Sequence, residues 1–378
     1  MATLTEDQTI LQDSARTWVT DRAPVTALRT LRDQGGWATG FDATTWRDIA
    51  AMGWAGVIIP EAFGGSDFGY RSLGLVLEEL GRTLVASPLH STLAAAAALM
   101  LGGTAAQQAK YLPRIASGEI IATLAVDEAP HHAPEQIAMV AEEFGSGFLL
   151  TGRKRFIPDA ATADLLIIAA RSAARPGDTA GLTLFMLEKG AAGVTTTPLH
   201  TVDNRAAADI SFEDVAVPLS AILGDIGEGW AVLDPVLDRA RACLAAEMLG
   251  TATQAFTITL DYLKTRNQFG QLIGAFQALQ HRAAKMFTEL ELTRSAVQAA
   301  LDAIDAGAPD TASLCSLAKA RANDTLHLVS NEMVQMHGGI GMTDVHDAGL
   351  YLKRARVAEA LYGTSSYHRD RYARLGGY

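Results

Sequence analysis

Apolar residues along this chain change their spacing twice, and the two changes divide it into three stretches. Up to residue 119 they recur at intervals of three and four, the period of a helix with one buried face. Thr5 followed by Gln8 is a capping-box pattern and predicts a helix from there through about Val19. Further helices are predicted over Trp46–Met52, Arg71–Leu84, Thr92–Leu101 and Gln107–Ser117, the last closed by Gly118. Gly53–Gly65 is dense in turn formers and reads as a loop. At Glu119 the pattern becomes that of strands: Ile120–Val126, then Ile137–Phe144 and Phe148–Thr151 joined as a hairpin by Gly145-Ser146-Gly147. Leu165–Ala170, Leu182–Leu187, Gly193–Pro198 and Ala208–Phe212 follow in the same manner. Past Gly224 the helical period returns in Trp230–Arg266, Gln277–Ala306, Asp310–His337 and Ala348–Leu361. The expectation is an α+β chain with an N-terminal helical domain over 1–119, a middle antiparallel β domain over 120–222 and a C-terminal four-helix bundle over 223–378.

Composition narrows the function. Hydrophobic residues make up 49% of the 378 positions, enough for a large core. A formal charge of −11 with no Lys/Arg run argues against a nucleic-acid partner. Anionic cofactors remain open to it, through local arginines or helix N-termini. Cys243 and Cys315 both fall within apolar helical patterns and read as buried thiols, with no metal site or disulfide framework expected from two. Met1–Gln8 lacks the basic and apolar regions of a secretion signal, and the longest apolar run, Leu93–Leu101, is too short to span a bilayer. A cytoplasmic location is the expectation that follows.

Three motifs carry chemistry. Tyr262–Gly270 ends a long helix with Arg266, Phe269 and Gly270 close together. A guanidinium can grip a pyrophosphate with two parallel hydrogen bonds while a ring covers its apolar side. The same residues would also serve a plain helix end with a stop glycine. Gln277–His281 opens the next helix, and Gln335–Met342 sets three glycines after the third, where backbone can approach phosphate closely.

Taken in order, Arg266-x-x-Phe269-Gly270, Gln277-x-x-Gln280, Gln335-x-x-Gly338-Gly339-x-Gly341 and Tyr362-Gly363-Thr364 resemble the C-terminal domain of acyl-CoA dehydrogenases. Ile59–Gly65, Gly152–Ile157, Ala163–Ala169 and Phe212–Pro218 resemble that family's N-terminal loop and β-domain segments in register, so the likeness covers nearly the whole chain. The resemblance implies FAD at a subunit interface, with one subunit's β domain holding the flavin ring. A neighbour's Arg-x-x-Phe-Gly and Gly-Gly motifs hold the adenosine diphosphate end. It assigns that second role here to Arg266, Phe269, Gln277, Gln335, Gly338 and Gly339, adds Thr364 as a further cofactor contact, and makes Arg241 a substrate-side residue. The implied chemistry is α,β-dehydrogenation of an acyl-CoA thioester, with a carboxylate removing the α-proton and an electron-transfer flavoprotein as the usual electron acceptor.

This chain departs from the pattern at the reacting centre. One branch of the family places its Glu just before the Gly-Thr, where Tyr362 stands; another places it just before an Arg that matches Arg241, where Ala240 stands. A phenol with a pKa near 10 is mostly protonated at neutral pH and replaces a carboxylate poorly. The Gly-Ser-Asp expected after Ile120–Val126 is replaced by Asp127–Gln136, and Pro158 stands where a hydroxyl should follow Phe156-Ile157. These losses beside an intact second set imply a non-catalytic subunit. It would form a hetero-oligomer of two catalytic and two non-catalytic chains, as in bacterial enzymes resembling steroid side-chain degraders, and complete the partner's FAD site. Two rivals stand beside it: a self-sufficient homo-oligomer with a relocated base, for which Asp238 is the best candidate and Asp127 and Glu128 weaker ones, and a flavin-free protein reusing the acyl-CoA cleft.

Overall fold

The computed structural model describes residues 3–378. Six helices come first: α1 (Glu6–Arg22), α2 (Val25–Asp33), α3 (Ala43–Ala51), α4 (Gly69–Arg82), α5 (Leu89–Gly102) and α6 (Ala105–Ala116). Eight strands follow: β1 (Ala122–Ala125), β2 (Val140–Phe144), β3 (Gly147–Pro158), β4 (Leu165–Arg171), β5 (Leu182–Glu188), β6 (Val194–His200), β7 (Ala206–Pro218) and β8 (Ile222–Leu223). The chain then forms α7 (Trp230–Thr265), a two-residue-by-two-residue hairpin of β9 (Asn267–Gln268) and β10 (Gln271–Leu272), α8 (Gln277–Ala306), α9 (Thr311–His337), α10 (Ala348–Ala360) and α11 (Ser365–Leu375). This is the mixed α+β order that the hydrophobic periods predict: helices, a sheet, then helices again.

Local chemistry explains the boundaries. The Thr5 hydroxyl accepts from the Gln8 backbone and the Gln8 side chain answers from the other side, so the capping box that opens α1 is complete. Thr104 and Gln107 repeat the device at α6. Helix α2 is absent from the periodicity reading because it is only nine residues long: its apolar positions Val25, Leu28 and Leu31 share a face but span too few turns to establish a period, and only Leu28 is buried. The last helix, α11, escapes because none of its buried residues is apolar: among its eleven residues only His368 and Arg371 are buried.

Compactness resolves the chain into two units assembled from alternating segments. One takes the segment ending at Arg29, Tyr70–Val85 and Arg241–Tyr378. It contains α1, α4 and the C-terminal helices. The backbone N–H groups that open α4, those of Tyr70 and Arg71, donate to the Asp305 carboxylate of α8 at 2.6 and 2.8 Å. Arg294 of α8 reaches back to Glu78 of α4 at 2.7 Å. Helices α8, α10 and α11 pack around α9, whose inward face holds Cys315, Lys319, Leu326, Val329 and Met333.

The other unit takes Thr30–Gly69 and Ala86–Ala240 and contains α3, α5, α6 and the main sheet. Strand order is β6-β7-β3-β2-β4-β5-β8, with β1 beside β4. The sheet expected to be antiparallel is so except at β4, where β1 runs parallel from Ala122↔Leu165 to Ala125↔Ile168 and β2 adds one parallel pair, Val140↔Arg171. The chain leaves β1, makes the β2–β3 hairpin, and returns beside β1 in the same direction. Every residue of β4 is buried, as a strand covered on both faces must be. Trp46 of α3 donates its indole N–H to the Gly118 carbonyl at 2.9 Å, tying α3 to the end of α6.

Candidate cofactor site

The hairpin that follows α7 is built to present one ring. Phe269 and Gly270 are its two turn residues, at φ +53° and +78°, and Gln268 pairs with Gln271 across them. Two positive φ values in a two-residue loop are the turn whose twist suits a hairpin. A phenylalanine takes that conformation only at a cost of about 1–2 kcal/mol. The side chain gains nothing by burial in return, because Phe269 is 91% exposed, touching Phe276 edge-on at 6.1 Å between centroids. Arg266 sits at the base of the hairpin, exposed, with its backbone N–H donating to Tyr262 and its carbonyl accepting from Ile273. Packing within this chain therefore does not account for the strained ring.

The Gly338 turn lies against the same helix end. Its neighbour His337 meets Tyr262, one turn before Arg266, at 4.4 Å between ring centroids. Gly338 has φ +64°, and a Cβ built on either Gly338 or Gly339 would meet nothing within 4 Å, so the backbone there faces open space. Gln335 and Gln277 are exposed, and Arg282 near the start of α8 pairs with Glu332 near the end of α9 at 2.5 Å. The structure therefore brings Arg266, Phe269, Gln277, Gln335, Gly338 and Gly339 to one end of the bundle. A guanidinium, an exposed ring, two amides and an open glycine backbone fit a pyrophosphate with an attached base.

Thr364 is not with them. It caps α11, accepting from Tyr367 N, and its neighbour Ser365 donates to Asp324 in the middle of α9 at 2.7 Å. From Asp324 to Gly338 is about 20 Å at 1.5 Å per residue. Thr364 instead borders a cavity of about 330 Å³ shared with Asn323, His327, Arg356 and Glu359.

The reversal between α10 and α11 is the expected base position, and it is rigid. Tyr362 is buried at φ +57°, and Gly363 follows at φ +112°. A Cβ on Gly363 would lie 2.5 Å from the Tyr367 ring and 2.8 Å from His368 Nε2, so no other residue fits. His368 Nε2 donates to the Tyr362 carbonyl at 3.0 Å. Lys319, fully buried, donates to Gly363 O, Ala358 O and Asn323 Oδ1 at 3.2, 3.0 and 2.6 Å. Burial holds its pKa well below the usual lysine value, against the pull of Glu359. Three acceptors around one nitrogen match the three N–H bonds of an ammonium. Arg241, also fully buried, donates to the Tyr367 hydroxyl at 3.1 Å and holds its guanidinium carbon 5.6 Å from that ring's centroid. The frame that would aim a carboxylate is present, and it carries a phenol.

In the second unit, Ala240 offers only its carbonyl, 3.0 Å from His90 Nε2. Asp238 is buried within α7. The Asp127–Gln136 stretch is drawn inward. Glu128 accepts from the backbone N–H groups of Ala138 and Met139 and from Lys154 Nζ at 2.7 Å. Lys154 is fully buried and also donates to Val126 O, and burial lowers its pKa while Glu128 opposes the shift. Asp127 holds His132 Nδ1 at 2.9 Å. Pro158 turns its carbonyl to the Thr123 hydroxyl at 2.8 Å and has no N–H to offer. The carboxylates of Asp127 and Glu128 are thus engaged in a structural network. Sequence reasoning missed Tyr262, His337, Lys319, Asn323 and Lys154. Of these, the three polar residues of the core carry a signal in principle, since a lysine or asparagine at an inward helical or strand position demands buried partners.

Comparison with known proteins places these features. Residues 5–119, 132–215 and 227–376 match the N-terminal, middle and C-terminal domain models of acyl-CoA dehydrogenase. Mitochondrial isovaleryl-CoA dehydrogenase of Pongo abelii is 35% identical over 335 residues, covering 86% of this chain and 78% of that one. A variant of the Tcur3481-Tcur3483 steroid ACAD is similar at 32% identity and a TM-score of 0.88, with 99% of both chains covered. The FAD complex of PigA is similar at 26% identity and a TM-score of 0.92, covering 100% of this chain and 99% of that one. The chain belongs to the acyl-CoA dehydrogenase family, with FAD as its cofactor.

Proposed function

We propose that this chain is the non-catalytic subunit of a heteromeric FAD-dependent acyl-CoA dehydrogenase and lends the adenosine-diphosphate half of the FAD site to a catalytic partner. The observation that carries this reading is a contrast within one unit. The Arg266–Phe269 hairpin and the Gly338-Gly339 turn are open and preformed. The rigid reversal that would present a base holds Tyr362 instead. Support comes from the steroid ACAD relative, whose name joins two components, Tcur3481 and Tcur3483. In this reading the assembly has two chains of each kind, and the substrate, an acyl-CoA, is oxidised on the partner.

Flavin absorbance of the complex tests it. One charge-assisted hydrogen bond contributes about 1.5–3 kcal/mol, so Arg266→Ala should lower FAD affinity roughly ten- to a hundredfold. Lysine in its place should recover only part, because a point charge cannot form the two-pronged contact. Size-exclusion chromatography serves as the control for assembly. Purified alone, the chain should show no acyl-CoA turnover. Unchanged flavin affinity in Arg266→Ala, or steady turnover by the single chain, would sink the reading.

A further inference from the structure

Three rings meet where the two cofactor-facing segments join. The His337 ring meets Tyr262 at 4.4 Å and His346 at 4.2 Å between centroids, with ring planes tilted by 31° and 45°. Tyr262 belongs to the last turns of α7, His337 ends α9, and His346 lies in the loop that leads into α10. His337 is 3% exposed. Its Nδ1 lies 2.7 Å from the Met333 carbonyl, which can only accept, so Nδ1 carries the proton. That leaves Nε2 as a bare lone pair, and it is buried with no hydrogen-bond partner. Leaving such an atom unsatisfied costs about 1–3 kcal/mol, a cost that calls for an explanation in some other role. His346 Nδ1 accepts from Ala348 N at 3.1 Å. Burial holds both imidazoles below their ordinary pKa, which favours the neutral form of each and lets the two rings pack without charge repulsion.

The chain folds back over these rings immediately after His337. Gly341 is buried, and a Cβ there would lie 2.7 Å from Val334 O and 3.1 Å from His337 Cβ. The turn from Gly338 to Met342 therefore rests on the His337 side chain, while Gly338 and Gly339 face open space. Nothing else described between the end of α7 and this turn is as direct: no hydrogen bond between Tyr262–Arg266 and Gly338–Met342 accompanies the ring contact.

We propose that the Tyr262–His337–His346 cluster is the positioning element of the cofactor site, fixing the distance and orientation between Arg266 and the Gly338-Gly339 turn. Flat rings suit the task. Tilted rings in contact at 4.2 and 4.4 Å fix a spacing by close packing, without a polar group that competes for the phosphates. The proposal rests on the reading of this surface as the adenosine-diphosphate site. His337 does not touch the cofactor; it acts through the backbone it supports.

Two measurements on full-length protein separate the proposal from that reading. Hydrogen exchange followed by mass spectrometry across residues 338–346 reports the turn itself, with or without flavin. Flavin retention by the co-purified complex reports the site. His337→Ala should speed exchange in this segment and weaken FAD roughly tenfold, as loss of about 1.4 kcal/mol would. His337→Phe keeps the ring, loses only the Met333 bond, and should restore both readouts to near wild type. His346→Ala provides the same test should His337→Ala fail to fold. Unchanged exchange in the alanine variants, failure of phenylalanine to rescue, or faster exchange without flavin loss while Arg266→Ala does lose flavin, would each overturn the proposal. If Arg266→Ala retains its flavin, the adenosine-diphosphate reading fails, and the proposal, which rests on it, is overturned with it. Exchange would still show whether the cluster holds the turn.

Discussion

The Phe269 hairpin in one unit and the Asp127–Gln136 stretch in the other are both loops that the family resemblance assigns to cofactor binding. In the first, the polar and aromatic groups point outward, the backbone takes a strained turn, and the glycines beside it leave room. In the second, the carboxylates of Asp127 and Glu128 point inward to His132 and Lys154, and every oxygen of Glu128 has a donor. A binding loop must leave donors and acceptors unpaired until its ligand arrives. A structural loop satisfies them itself. The difference separates a loop whose polar groups are already satisfied from one whose groups stay open, and the proposed role rests on the second.

The most forceful way to test the contrast is to damage the inward loop. Lys154→Ala would leave the Glu128 carboxylate without its buried cation, which typically costs about 3–5 kcal/mol. Urea unfolding should show that loss, and flavin retention by the remaining folded complex should be unchanged. A loss below about 1 kcal/mol would mean that the network is ornamental. The pH dependence has a fixed sign. Burial lowers the folded-state pKa of Lys154 below its unfolded value. Between those two values the unfolded chain binds a proton that the folded chain does not, so this group's contribution to stability rises with pH through that window. Lys154→Ala should remove that rise.

Next in size is a matched pair of substitutions in the first unit. Gly363→Ala meets both a positive φ and ring atoms at 2.5–2.8 Å, and should cost about 3 kcal/mol. Gly338→Ala meets no atom within 4 Å but must hold φ +64° and ψ −138°, a backbone region that disfavours side chains, and should cost about 2 kcal/mol while weakening flavin binding. Equal losses in thermal unfolding would show that the Gly338 turn is packed as the Tyr362 reversal is, and the contrast would fall. The smallest effect is also the most diagnostic. Phe269→Asn places a residue that accepts positive φ before Gly270, so the protein should gain up to about 1 kcal/mol in stability. Flavin retention should fall severalfold at the same time. A gain in stability without a loss of flavin would show that the exposed ring has no ligand to serve.

Much of this architecture is legible in the residues. The period of the apolar positions places α8 at Gln277–Ala306 and ends α9 at His337, because long helices packed on one face repeat that period many times. Helix α2 is not legible because its nine residues are too few for the Val25-Leu28-Leu31 spacing to repeat, and α11 because none of its buried residues is apolar. The parallel β1–β4 pair is hidden as well, because strand direction depends on where the chain returns and not on the strand's own residues. At the candidate cofactor site, the identities of Arg266 and Gly338 are readable, but the turn is not. Nothing in Asn267-Gln268-Phe269-Gly270 announces a phenylalanine at positive φ. The ring cluster is invisible too, since Tyr262, His337 and His346 are scattered over three elements and join only when the helices pack.

The interleaving of the two units bears on how the protein is made. Helix α4 emerges from the ribosome early, yet the carboxylate that caps its first two amides, Asp305, lies 235 and 234 residues further on. The second unit, by contrast, is complete once Ala240 has been added. Synthesis at about 5–20 residues per second leaves α1 and α4 waiting on the order of ten seconds or more for their partners. Through that interval the apolar face of α4, with Leu73, Val76, Leu77 and Leu80, has no permanent cover. The sheet-bearing unit should therefore acquire protease resistance first in nascent chains, with α4 the segment most open to chaperone capture until the bundle closes over it.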